Sequence, residues 1–137
     1  MIEPTLALQT ALHDHLVSAP AVVALVDPIN IRVGSSRPEN MPGIRIANGI
    51  AMMRGHASGR QYVATVLLDL HLWAVDDGFD HVKTIGAAVA HRLMKWPDAA
   101  DFDLVRFEHT RTAWPRDPDP SFGHGVMSVE ADIQWKP

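Results

Sequence analysis

Cysteine is absent from the 137 residues, which rules out a disulfide framework, a thiolate zinc site and a cysteine nucleophile. No apolar run approaches the roughly 20 residues needed to span a bilayer as a helix. The opening MIEPTLALQT has neither a basic n-region nor an apolar h-region, so no secretory signal is expected there. Positive charge is in short supply: 12 Lys and Arg stand against 16 Asp and Glu, for a net charge of −4. The bases are scattered, so no nucleic-acid footprint is expected. HExxH, GxSxG, P-loop and GxGxxG patterns are all missing. Apolar residues are plentiful. They make up 47% of the chain and include four Trp and four Phe, enough for a core without covalent staples. The length fits one domain over residues 1–137.

The chain is organised around residues 62–96. Tyr62, Ala64, Val66, Leu68, Leu70, Leu72 and Ala74 recur every second residue, which places them on one face of a long strand. Val63, Thr65, Leu67, Asp69, His71 and Trp73 form a mixed opposite face. Asp76-Asp77-Gly78 breaks the run as a turn. The period then changes: Phe79, Val82, Ile85, Val89, Leu93 and Trp96 recur at helical spacing, and Pro97 stops the helix. An apolar strand face followed by an apolar helix face predicts a helix folded onto a sheet.

Upstream, residues 3–17 read as a helix with the stripe Leu8, Ala11, Leu12 and Leu16, and with Gln9, Asp14 and His15 largely off it. Ser18 reads as the N-cap of a short second helix over 19–26. Ile29, Ile31 and Val33 suggest a first strand, and residues 43–47 a second. Residues 48–61, with three Gly and the Met52-Met53 pair, fit either an extended hairpin or a loop. Downstream, residues 102–114 read as a strand, 115–125 as a loop, and 126–135 as a last strand with Met127, Val129, Ala131, Ile133 and Trp135 on its buried face. The order ααβββαββ predicts an α+β fold, a mostly antiparallel sheet with helices packed on one face.

Eight histidines invite a catalytic or metal-site reading. Asp69 and His71 share a strand face and could join His109 in a metal-assisted site, although polar residues on an open sheet face are ordinarily just solvated. His124, between two glycines, reads as a loop-to-strand entry more readily than as a catalytic group. Asp76 to Asp80 lacks the spacing and the later bidentate Glu of a calcium loop. No catalytic residue, metal ligand or cofactor is therefore assigned. Met52 and Met53 supply either an adaptable contact surface or a buried plug. With Arg54 and Arg60 in the same stretch, they are candidates for an assembly interface. Arg111, Trp114 and Arg116 join them, because Arg and aromatic residues anchor interfaces.

The linear pattern resembles the phage tail-completion or tail-terminator family, including relatives in gene-transfer agents. The resemblance rests on an LxxxL helix, SAPAVVALV and INIRV at the start, LHLWAVDDGFDHVKTIGAAVAHRLM at the centre, and HGVMSVEADIQW at the end. It implies a structural virion protein: a ring, typically of six copies, on the head-proximal end of the tail tube. Such a ring ends tube polymerisation and offers a joining surface to the neck or connector proteins of the head. The implied partners are copies of itself, the tail tube protein and the neck, with DNA passing through unspecifically and no membrane. The residues leave two other classes open, a small metal-assisted enzyme and a dimeric α+β binding or assembly-factor module.

Overall fold

The computed structural model describes residues 2–75 and 79–137. The turn expected at Asp76-Asp77-Gly78 lies outside the described residues. In chain order the elements are α1 (Pro4–Val17), α2 (Pro20–Val23), a 3-10 turn (Pro28–Asn30), β1 (Ile31–Val33), β2 (Gly43–Ile46), β3 (Ile50–Ala57), β4 (Gln61–Val75), α3 (Asp80–Leu93), β5 (Asp103–Ala113) and β6 (Phe122–Trp135). The sheet runs β1-β2-β4-β6-β5, and β3 pairs the first half of β4 on the same edge that β2 pairs further along. β1 and β2 are parallel, and the remaining pairs are antiparallel. The helices α1 and α3 pack on one face, α1 over β1, β2 and β4, and α3 over β4, β6 and β5. The α+β expectation holds, with one strand more than foreseen. Residues 48–61 are the hairpin and not the loop, so β3 is added to the order.

The alternation in β4 does what it predicts. Ala64, Val66, Leu68, Leu70, Leu72 and Ala74 are buried, and so are Val82, Ile85, Val89 and Leu93 of α3 and Met127, Val129, Ala131, Ile133 and Trp135 of β6. The stripe of α1 is buried too, but Gln9 and His15, expected to lie away from it, are buried with it. Each has a partner that only the tertiary fold supplies. Gln9 Nε2 donates to the Ala47 carbonyl at 2.7 Å, and His15 Nε2 donates to the Arg92 carbonyl at 2.9 Å. Arg92 Nε returns a bond to the His15 carbonyl, so the two helices clamp each other.

That clamp also bears on where α3 ends. Arg92 uses its carbonyl for His15 and for a three-residue turn bond from the Lys95 amide at 3.2 Å, and the helix finishes at Leu93. Trp96, expected on the buried stripe, is therefore 46% exposed. Ser18 is the C-cap of α1, its amide bonding back to Asp14, and the N-cap of α2 is Ala19. Only Ile31 of the expected first strand face is buried, because Ile29 falls in the 3-10 turn and Val33 is on the rim. β6 begins four residues earlier than expected, at Phe122, and takes in Gly123-His124-Gly125. The glycines matter for packing. A Cβ on Gly125 or on Gly86 of α3 would stand 2.7 Å from the Trp114 indole, which is wedged between strand and helix.

Truncating Leu70 or Leu93 to Ala should cost about 2–5 kcal/mol in denaturant melts. A change below about 0.5 kcal/mol at both positions would contradict this facing of helix on sheet. Gly125→Ala should cost about 1–3 kcal/mol through overpacking against Trp114.

Candidate assembly surface

β3 and β4 form a hairpin closed by residues 58–60. Gly59 (φ 78°) and Arg60 (φ 62°) both adopt the left-handed conformation that a tight reversal requires. The register slips between Met53 and His56, where Gly55 (φ 90°) absorbs the bulge. The strand is exposed along most of its length, with Ile50 63%, Met52 36% and Met53 57% accessible. Met52, Met53, Arg54 and Arg60 lie along this one edge hairpin, the β3 arm, with Met52 and Met53 on opposite faces of it.

The remaining candidates lie across the sheet from that arm. Arg111 is exposed on β5 opposite Ser128, and Arg116 is exposed in the loop that follows. Trp114 is half-buried against Gly86 and Gly125, with Lys83 Nζ 5.7 Å from its ring centroid, so its first role is packing. Asp69, His71 and His109 are not brought together. Asp69 accepts from the Ser128 hydroxyl at 2.7 Å, and His71 pairs with His124 at 2.9 Å on the open face. His109 faces the helix side, beside Leu93 and Phe107, and bonds Thr112. No group of three His, Asp or Glu among the described residues is placed to hold a metal.

Two features of the open face were not legible beforehand. One is a polar row: Arg54 Nε donates to Thr65 Oγ1 (3.1 Å), which donates to Asp132 Oδ1 (2.7 Å), while Arg106 Nε donates to Asp132 Oδ2 (2.8 Å). Glu108 and Glu130 also engage Arg106. The Arg106 and Thr65 hydrogen bonds hold the Asp132 carboxyl below its ordinary value, and Asp132 in turn raises the guanidinium of Arg106. The other is a ring stack. His124 lies flat on Trp73 (centroids 3.8 Å apart, planes 5° apart) with His71 beyond it. Burial, and then the neighbouring charge of His71, push His124 down to about 4. Arg37 covers the end of this face, over the Phe122 ring at 4.5 Å and paired with Asp117 at 3.1 Å.

This surface offers strand edges, exposed methionines and paired charges, and among the described residues no converging nucleophile and base. Residues 10–134 match the family profile described as Tail completion protein gp17. The chain belongs to this tail-completion family. Its fold is also similar to that of a chain in the solved virion of a native gene transfer agent particle. The TM-score is 0.79 at 18% identity, with 93% of this chain and 95% of that one covered. No curated protein matches.

Acid should weaken the fold through the histidines. His124 is neutral in the folded chain until about pH 4, whereas an unfolded His takes its proton near the ordinary 6.5. Between those values the unfolded state holds the extra proton, so stability falls as pH drops through this window and this group adds no further loss below it. His15, depressed chiefly by burial, acts in the same direction. Melting temperature should therefore decline from pH 7 to pH 4, and His124→Gln should flatten that decline. An unchanged slope in the variant would remove His124 as its source.

Proposed function

We propose that this protein is a structural subunit of a phage or gene-transfer-agent tail. Copies of it, six by family resemblance, close into a ring on the head-proximal end of the tail tube. The ring stops tube polymerisation and presents the joining surface for the neck. The observation that carries this reading is the tail-completion match along residues 10–134. The site geometry supports a structural role over a catalytic one, because Asp69 and His71 are on one face of the sheet and His109 on the other. A ring of identical copies needs two different patches per subunit, and the arm bearing Met52, Met53, Arg54 and Arg60 is one of them. Arg111 and Arg116 offer charge at the opposite side of the sheet. DNA passes through the ring without specific binding, which suits a net charge of −4. Among the described residues no helix is long and apolar enough to cross a membrane, and the reading includes no membrane partner.

Electron microscopy of the purified protein, alone and mixed with tail tubes, tests this reading. Rings at one tube end are expected, and removal of the gene should give tubes of uncontrolled length without heads. Replacing Met52 and Met53 together by Ser should leave stability within about 0.5 kcal/mol, as for surface positions, yet abolish capped, head-joined tails. Normal particle assembly by a folded double variant would make the arm a passive hairpin, and a stoichiometrically bound metal, or a hydrolytic activity, lost in His71→Ala would replace the structural reading.

A further inference from the structure

Two strand edges in this sheet lie level with each other and carry no partner strand among the described residues. β3 pairs only β4, and β5 pairs only β6. The registers put them in one row: Met52 opposite Thr65, Thr65 opposite Asp132, Asp132 opposite Arg106. The hydrogen bonds from Arg54 through Thr65 and Asp132 to Arg106 run along that same row. β3-β4-β6-β5 is thus one cross-braced strip with a free edge at each end.

The β3 edge and the first half of the β5 edge have opposite chemistry. Residues 48–61 contain Arg54 and Arg60 and no carboxylate. Residues 98–108 contain Asp98, Asp101, Asp103 and Glu108 against Arg106 alone. That guanidinium is already engaged by Glu108, Glu130 and Asp132. Apolar surface matches on the same side of the sheet. Met53 is registered opposite the buried Ala64, so it projects on the helix side of the arm. On the helix side of β5 a groove of about 300 Å³ opens between the end of α3 and the strand, lined by Leu93, Met94, Trp96 and Phe107.

We propose that the β3 edge of one copy pairs with the Asp103–Phe107 stretch of β5 on the next copy, head to tail, with Met53 entering the groove beside Trp96. The proposal rests on the ring reading and names its joint. Edge pairing supplies the backbone bonds that both strands lack on their outer sides, and the charges and methionine set which edges meet. Each copy donates one arm and receives another, which is the heterologous contact that a ring requires.

The test mixes two charge variants. One carries Arg54→Gln and Arg60→Glu, the first change keeping a side-chain donor for Thr65. The other carries Asp101→Lys and Asp103→Lys. Native mass spectrometry and microscopy at low salt should show each variant alone assembling at least tenfold more weakly than the wild type. An equimolar mixture should recover rings in which the two variants alternate. Variants that assemble like wild type, or a mixture no better than its components, would overturn the edge pairing while leaving the ring reading in place. A wild type that forms no rings, alone or on tail tubes, would overturn both. Should a charge variant fail to fold, the cysteine-free chain permits a second measurement. Single cysteines placed in turn at Ile50–Met53, combined with single cysteines at Asp103–Phe107, should give oxidised ladders between copies in assembled rings. Rings without any ladder across the whole scan would likewise defeat the proposal.

Discussion

The pairing of β4 with β6 is the constraint from which the other elements take their places. It runs unbroken from Tyr62 opposite Trp135 to Val75 opposite Phe122. Because alternate residues face opposite ways, this register sets Leu68 beside Val129 and Leu70 beside Met127 on one face, and Thr65 beside Asp132 and Asp69 beside Ser128 on the other. A slip of one residue in β6 would bury the Asp132 carboxylate, and one in β4 would expose Leu70. The cost of burying an unpaired charge makes the β6 slip prohibitive. Once the register is fixed, the helices have a single apolar face to cover, and the edges of β4 and β6 left over go to β2, β3 and β5.

The parts of the fold that are legible in the sequence are those where one face is uniformly apolar. β4, β6 and the stripe of α3 follow from period alone. The illegible parts depend on partners distant in sequence. Gln9 and His15 read as off-stripe because nothing local announces the Ala47 and Arg92 carbonyls that receive them. The start of β6 reads as loop because Gly123-His124-Gly125 has little strand propensity, yet Gly125 is small so that Trp114 can lie against it. β3 hides its identity behind a bulge at Gly55 that interrupts the alternation. Met52, Met53, Arg54 and Arg60 are nonetheless recognisable as a group, being near neighbours in sequence. The relation of Arg106 to Asp132 required knowing the register of β5 on β6.

The open face is polar without being loosely organised. A solvated sheet face could carry its charges singly, but here Arg54, Thr65, Asp132 and Arg106 are joined across four strands. Arg106 remains partly accessible, so each bond contributes modestly to stability. What the row adds is stiffness between two edges that would otherwise twist independently. A subunit that must hand a fixed angle from one neighbour to the next needs such rigidity more than it needs extra stability, since small angular errors decide whether a ring closes.

Free strand edges carry a hazard, because any edge can pair with any other. The charge pattern narrows the choices. Two copies meeting β3 to β3 would bring Arg54 and Arg60 against their equals, and two meeting β5 to β5 would bring Asp101 and Asp103 together. Both symmetric dimers therefore suffer like-charge repulsion that the unlike pairing avoids. Bulges add a second filter. β3 slips between Met53 and His56, and β5 slips between Leu104 and Arg106 and again between His109 and Arg111. A bulged edge presents only a short regular stretch, which is too little for open-ended sheet growth with arbitrary chains. What survives both filters is a short, polar-guided contact between unlike edges. Such a contact closes when its rotation divides a full turn, and is otherwise weak enough to come apart and try again.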